Sequence, residues 1–123
     1  MLGTQRSRGG TVAIVDDDPA VLDSLRFLLE LCGLEVTTYG SAAAFLDNAQ
    51  QLPSCVILDQ HMPQMTGLDL AVRLRSRDAD LPVLLITGSS SPAIVARAAQ
   101  LRIQVLEKPP DEADLMRFIE ARL

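Results

Sequence analysis

Short apolar runs recur along the chain at a regular interval, and a segment with helix signals separates each run from the next. The five runs occupy residues 11–15, 34–39, 55–58, 83–87 and 103–106. Three of them (VAIV, CVIL and VLLI) are continuous rather than alternating in polarity, which is typical of strands covered on both faces. The runs are therefore predicted to be the strands of an α/β domain.

The segments between the runs carry signals for helix boundaries. Asp18 and Ser91 each precede a proline, the pattern of an N-cap residue followed by proline at the first helical position. Gly33 stands where the first helix should end. Further helical segments at 41–48, 67–77 and 111–122 complete five β–α repeats. Such repeats predict a flavodoxin-like (βα)5 fold, a doubly wound parallel sheet with strand order 2-1-3-4-5.

The length of 123 residues allows one domain. Residues 1–10, rich in Gly, Ser and Arg, are predicted to be a flexible tail, and 11–123 the folded domain. A net charge of −5 argues against direct binding of nucleic acid or of an anionic membrane. No apolar run approaches the roughly 18 residues of a membrane helix, and the first ten lack the apolar core of a signal peptide, so we expect a cytoplasmic protein.

Two cysteines, Cys32 and Cys55, are too few for a disulfide framework. Both lie in apolar runs, as free buried thiols do. We therefore expect two buried, unpaired cysteines.

Polar residues follow the predicted strands at their carboxyl ends, where open α/β sheets bind ligands. Four of the five strands end in this way, and the residues concerned are Asp16, Asp17 and Asp18, then Asp59, then Thr87, then Glu107 and Lys108. The sequence thus predicts a rim that carries carboxylates, a hydroxyl and an ammonium group.

The carboxylates of this rim predict a cation site. Asp18 is explained locally as a helix N-cap, but Asp16, Asp17 and Asp59 are attached to apolar strands. Two such charges about 4 Å apart repel by roughly 4 kcal/mol at an effective dielectric constant near 20. Mg²⁺ suits the cluster, because it takes one or two carboxylates, keeps several waters and commonly bridges to phosphate. The alternative is three solvated loop aspartates.

Lys108 is the only lysine among eleven basic side chains; the other ten are arginine. Lysine binds phosphate oxygens as a compact point charge and tolerates partial burial beside acids. Thr87 is either an ordinary β-branched strand residue or a hydroxyl donor to a phosphoryl oxygen. Together the residues favour phosphoryl transfer to a carboxylate, a known role for aspartate. The alternative for Lys108 is a surface position reached by chance.

The chain resembles the receiver domains of two-component response regulators, particularly those joined to helix-turn-helix transcription outputs. The resemblance covers nearly everything from residue 11 to 123 and is carried by four motifs in order, VDDDP at 15–19, LDQHMPQMTG at 58–67, ITG at 86–88 and EKP at 107–109.

The resemblance implies a role for each rim residue. It makes Asp59 the phosphoacceptor and, with Asp17, a direct ligand of Mg²⁺, for which Mn²⁺ may substitute; Asp16 acts through water. The backbone carbonyl of His61 is the remaining protein ligand, and its imidazole is expected to face solvent. Thr87 is the switch hydroxyl, and Lys108 binds the phosphate.

The resemblance also implies a signalling switch rather than a turnover enzyme. The phosphoryl group would come from a partner histidine kinase or histidine phosphotransfer protein. Phosphorylation would alter the face formed by helix 4, strand 5 and helix 5 (91–101, 103–106 and 111–123), promote a homodimer or partner binding, and control a transcriptional output.

Two positions depart from the family pattern. Val105 stands where such receivers usually carry Tyr or Phe, and Pro110 replaces a common Phe. Three alternatives follow from the motifs and the fold: a haloacid-dehalogenase-like phosphatase, whose DxDx(T/V) motif lacks its last residue here; a flavodoxin-like cofactor carrier, which would need a glycine-rich phosphate loop; and a pseudo-receiver that only binds partners.

Overall fold

The computed structural model describes residues 10–48 and 50–122. Of the predicted tail only Gly10 belongs to this part, and its carbonyl accepts a hydrogen bond from the Glu35 N–H at 2.8 Å. Residues 1–9 and Leu123 lie outside the described residues.

Five strands alternate with five helices, as the sequence predicts. The strands are β1 (Thr11–Val15), β2 (Glu35–Tyr39), β3 (Cys55–Asp59), β4 (Val83–Thr87) and β5 (Gln104–Glu107). The helices are α1 (Pro19–Leu31), α2 (Ala42–Asn48), α3 (Gly67–Arg77), α4 (Pro92–Gln100) and α5 (Glu112–Arg122). Strand boundaries differ from the prediction by at most one residue. At β3 the strand is one residue longer than predicted, so that Asp59 belongs to the strand itself and not to the loop after it.

The strands form one parallel sheet in the order β2-β1-β3-β4-β5, which confirms the predicted flavodoxin-like topology. The register pairs Val15 with Leu58, and Asp59 with Ile86. It also pairs Thr87 with Glu107. All the strands therefore end at one edge of the sheet, and the residues after them share that edge.

Apolar side chains fill two layers, one on each face of the sheet. On one face α1 and α5 pack through Leu25, Leu29, Leu115, Phe118 and Ile119. On the other face α2, α3 and α4 pack through Phe45, Leu70, Ala71, Leu74 and Ala98. Every residue of β3 and of β4 is buried, which explains the continuous apolar runs.

The predicted helix boundaries are confirmed. Asp18 caps α1 by accepting a hydrogen bond from the Ala20 N–H at 2.9 Å. Ser91 caps α4 by accepting one from Ile94 at 3.2 Å. Gly33 has a φ of +85° just beyond α1, a conformation that glycine adopts without steric cost.

The prediction of two buried cysteines is half wrong. Cys55 is fully buried within β3, but Cys32 is exposed. Cys32 occupies the C-cap position of α1, beyond the stripe of the helix that faces the core. Its sulfur lies 3.9 Å from that of Met116 in α5. Phe27 and Leu31 of α1 are likewise exposed, so apolar character alone did not determine burial in this helix.

Among residues 10–48 and 50–122, no helix is long and apolar enough to cross a membrane.

Candidate functional site

Three of the rim residues, Asp16, Asp59 and Thr87, are buried although they are polar, whereas Asp17 is exposed. Asp16, which follows β1, and Asp59, the last residue of β3, are each 3% exposed, and Thr87 at the end of β4 is fully buried. About a third of the Lys108 side chain is exposed. Burial of charged groups is costly unless they are paired or bind a cation, so this burial distinguishes the rim from a set of solvated loop residues.

Three carboxylates converge at the rim. Asp16, Asp17 and Asp59 each place one oxygen so that the three lie within 4.8 Å of one another. Burial raises the pKa of Asp16; a hydrogen bond from the Asp18 N–H lowers it, and the charge of Asp59 raises it further. A cluster of hard oxygen ligands fits a divalent cation such as Mg²⁺, which would neutralise the repulsion between the carboxylates.

Lys108 reaches the carboxylate of Asp59 from the opposite side of the rim. Its Nζ lies 2.5 Å from Asp59 Oδ1. The contact is an ion pair with a largely buried oxygen. Burial lowers the pKa of Lys108, but the contact with Asp59 and the charges of Asp16 and Asp17 raise it by more, so that the pKa lies above that of an ordinary lysine. One cation therefore faces three carboxylates, which leaves the site short of positive charge.

The backbone of Lys108 also forms a hydrogen bond at the rim. Its N–H donates to the Thr87 carbonyl at 2.9 Å, which ties the segment after β5 to the end of β4. The peptide bond that joins Lys108 to Pro109 is cis.

The loop after β3 folds back against Asp59, and Gly67 makes this approach possible. A Cβ atom at Gly67 would lie 2.5 Å from the Asp59 carbonyl oxygen and 2.6 Å from a methyl carbon of Leu85. Gln60 braces the same loop, because its backbone carbonyl accepts from the Gly67 N–H and its side-chain oxygen accepts from the Leu68 N–H at 2.8 Å. The sequence alone did not predict a role for either residue. The only available signal was the position of Gly67 at the end of the second motif.

Thr87 and His61 lie in direct contact. His61 Nε2 is 3.2 Å from Thr87 Oγ1. The expectation that the imidazole faces solvent is thus incomplete: His61 is exposed, but one ring nitrogen lies against the Thr87 hydroxyl. Within the described part of the chain, no hydrogen bond reaches the backbone carbonyl of His61. That oxygen is therefore available as the fourth predicted ligand.

The loop that joins β4 to α4 makes a second contact that the sequence did not predict. Ser90 in this loop donates to the carboxylate of Glu107 at 2.6 Å. Glu107 is the last residue of β5, so the hydrogen bond links the start of α4 to the strand that precedes Lys108. Neither residue lies in a pattern that indicates pairing, because seventeen positions separate them.

A cleft of about 950 Å³ opens between α1 and α5 beside this rim. Asp16, Asp59 and Lys108 contribute to its wall, together with the exposed apolar side chains of Phe27 and Leu31. The buried carboxylate can therefore be approached from outside.

Comparison with known proteins identifies the family. The model of the response regulator receiver domain matches residues 12–120. The chain belongs to this family. Membership rules out the dehalogenase-like phosphatase and the flavodoxin-like cofactor carrier as alternatives.

The relatives of this receiver domain include transcription regulators. This agrees with the resemblance, noted from the sequence, to receivers that are joined to transcription outputs. Transcriptional regulatory protein FixJ of Azorhizobium caulinodans is 41% identical over 114 residues, which cover 91% of this chain and 54% of that protein. Full-length FixJ from B. japonicum superposes with a TM-score of 0.81 at 36% identity, over 92% of this chain and 57% of that one. The chain spans about half the length of the curated relatives it matches.

A chemotaxis protein has the same fold. Chemotaxis protein CheY4 of Vibrio cholerae superposes with a TM-score of 0.82 at 27% identity, over 93% of this chain and 98% of that chain.

The structure brings every predicted site residue to one rim. The residues are Asp16, Asp17, Asp59, His61, Thr87 and Lys108.

Proposed function

We propose that this receiver domain accepts a phosphoryl group on Asp59 and acts as a phosphorylation-dependent switch. The observation that carries the proposal is the buried carboxylate of Asp59, which contacts Lys108 and converges with Asp16 and Asp17. Asp59 thus lies where a metal ion would bind, and Lys108 lies where it would contact the group that Asp59 receives. The proposal rests also on family membership.

Each residue of the rim has a separate role in the phosphoryl transfer. An oxygen of Asp59 forms a bond to phosphorus while the bond between phosphorus and the donor's imidazole nitrogen breaks. Lys108 covers one phosphoryl oxygen as a point charge, and the Thr87 hydroxyl donates to another. Asp16, Asp17, Asp59 and the carbonyl of His61 would hold Mg²⁺. When bound, the ion supplies positive charge to the phosphoryl oxygens.

The phosphodonor is a histidine of a partner protein. The receiver family implies a histidine kinase partner. A histidine phosphotransfer protein offers the same chemical group and serves as an alternative donor. Either would bring its phosphorylated imidazole to Asp59 beside the cleft between α1 and α5, whose apolar wall suits a protein surface.

The output is proposed to be transcriptional, as the printed names of the relatives indicate for those proteins. The phosphorylated rim would act on the face formed by α4, β5 and α5, where a second copy of the receiver or an output partner binds. The role is that of a switch that carries the phosphoryl group, not of an enzyme with turnover.

Intact-mass analysis tests the acceptor. With Mg²⁺ or Mn²⁺ and a small-molecule phosphodonor, the wild type should gain one phosphoryl group, and Asp59→Asn should gain none. Asp47→Asn, which removes the same charge from an exposed position of α2, is the matched control and should react as the wild type does. An adduct of wild-type yield on Asp59→Asn would place the acceptor elsewhere. No adduct on the wild type would favour the pseudo-receiver alternative.

A further inference from the structure

The hydroxyl of Thr87 is fully engaged in contacts within its own loop and with His61. It donates to the Ser89 carbonyl at 3.0 Å and accepts from the Ser89 N–H at 3.2 Å. A hydroxyl has a single proton and two lone pairs. We assign His61 the tautomer protonated on Nε2, because the Thr87 proton is directed to the Ser89 carbonyl and the second lone pair then accepts from the ring across 3.2 Å.

The backbone at His61 is held in place by its neighbours in the chain. Gln60 and Met62, on either side, are both buried. The Gln60 N–H donates to the Ile86 carbonyl at 2.9 Å, which extends the pairing of β3 with β4 by one residue. His61 therefore leaves the sheet directly beside the end of β4, where Thr87 lies. The path of the backbone therefore brings the His61 side chain within reach of Thr87.

We propose that His61 is a positioning residue that holds Thr87 in its resting arrangement. This inference rests on the proposed function and concerns how the same site is regulated. A Thr87 hydroxyl that donates its proton to a phosphoryl oxygen must release the Ser89 carbonyl, and its rotation also breaks the contact with His61. The imidazole thus opposes the transition to the activated state. Because the His61 and Thr87 side chains must separate in that transition, their contact lowers the net free energy of phosphoryl binding.

The variant His61→Phe isolates this effect. Phenylalanine keeps a flat ring and the backbone carbonyl proposed as a metal ligand, but it has no N–H to donate. A neutral hydrogen bond of ordinary strength changes an equilibrium by about 2- to 10-fold. At saturating Mg²⁺, His61→Phe should therefore bind beryllofluoride, a mimic of the phosphoryl group, about 2- to 10-fold more tightly than the wild type.

Two further measurements distinguish a direct effect of His61 on Thr87 from a general effect of the substitution on the fold. In a Thr87→Ala background the substitution at His61 should change beryllofluoride affinity by less than about twofold, because the contact it removes is already absent. Without any ligand, nuclear magnetic resonance should show the wild-type His61 ring protonated on Nε2. It should also show that His61→Phe shifts the Thr87 methyl and Ser89 amide signals and averages the Thr87 rotamers.

The inference is overturned if His61→Phe leaves beryllofluoride affinity unchanged or weakens it. It is also overturned if the gain persists in Thr87→Ala, or if the ligand-free Thr87 and Ser89 signals do not respond. Failure of the proposed function gives a different result, namely no binding of beryllofluoride by the wild type at any Mg²⁺ concentration. The ligand-free spectra would in that case still decide whether His61 holds Thr87.

Discussion

Lys108 Nζ lies 2.5 Å from Asp59 Oδ1, although Asp59 ends a central strand and Lys108 follows the edge strand of the sheet. β4 separates the two strands, so the lysine side chain reaches across the end of β4 to the carboxylate. The backbone hydrogen bond from Lys108 to the Thr87 carbonyl holds the start of this path in place. A shorter side chain or a broader charged group would not make the same contact.

The first prediction concerns Lys108→Arg. The planar guanidinium keeps the charge but needs more space and a different geometry than an ammonium group. We expect Mg²⁺ binding to survive and the conformational response to beryllofluoride to be lost. Titration calorimetry for the metal and amide spectra for the response provide the measurements. A wild-type response in Lys108→Arg would show that the position requires charge alone.

The ion pair should also contribute to stability in a pH-dependent way. The pKa of Lys108 is raised in the folded state above the ordinary 10.5. The pair therefore stabilises the fold below that ordinary value, and the contribution is lost as the pH rises through the folded pKa. The stability of the wild type relative to Lys108→Met, measured by urea unfolding, should hold below the ordinary pKa of 10.5 and fall as the pH rises from there through the higher folded-state pKa. The effect should be small because a third of the side chain is exposed.

Much of the fold and site was predictable because the signals were local. The apolar runs, the N-cap residues and Gly33 each act within a few residues, and the parallel sheet then brings the strand ends to one edge. The contact of His61 with Thr87 and that of Ser90 with Glu107 were not predictable in this way. They depend on loop paths and side-chain rotamers, which a single sequence does not encode in a local pattern.

The second prediction concerns Gly67→Ala. The added Cβ would lie 2.5 Å from the Asp59 carbonyl oxygen, and this backbone atom cannot move without moving the acceptor. Overpacking of this kind costs about 1–3 kcal/mol. We expect a loss of that size in the free energy of unfolding, measured in urea, together with a lower yield of phosphorylated Asp59.

Gly40→Ala is the matched control. A Cβ at Gly40 would have no atom within 4 Å, and the backbone there does not require glycine. The substitution should be neutral or should stabilise the fold by up to about 1 kcal/mol, because it restricts the unfolded chain. Equal destabilisation by the two substitutions would show that close packing at Gly67 is not the cause.

The third prediction concerns the cysteines. Cys32 is exposed, whereas Cys55 is fully buried and its burial raises the pKa of the thiol to about 12. At pH 8 only about one Cys55 in ten thousand would be a thiolate, the form that reacts. Iodoacetamide should therefore modify native protein at Cys32 alone and reach Cys55 after unfolding. Peptide mapping would reveal the sites, and native Cys32→Ser should take up no reagent. Rapid labelling of Cys55 in that variant would contradict the structure.

The last prediction concerns how phosphorylation changes the α4, β5 and α5 face. Val105 is half-buried and packs against the core, and its short side chain has little shape to switch. α4 is held weakly, because Ala98 is its one fully buried residue, while Ala93, Ala96 and Ala99 are exposed. We therefore expect the signal to pass from Thr87 through the loop at 88–91 into α4.

The two ends of α4 are anchored differently, which determines how it can move. Beyond its C-terminal end, the Arg75 guanidinium donates to the carbonyls of Leu101 at 2.7 Å and Arg102 at 3.2 Å. Near its N-terminal end, the loop is tied to β5 by the single hydrogen bond from Ser90 to Glu107. A pivot about the C-terminal end therefore breaks fewer contacts than a slide of the whole helix.

Sedimentation with and without beryllofluoride tests this route on two variants. Thr87→Ala should abolish the activation-dependent gain in dimer or partner affinity, because the hydroxyl that moves the loop is missing. Val105→Ala should change that gain by less than about fivefold, the low end of ordinary coupling between sites. Thr87 is fully buried whereas Val105 is half-buried, so urea unfolding should confirm that both variants are folded. If Val105→Ala erases the gain while Thr87→Ala retains it, the signal leaves the rim through β5 and not through α4.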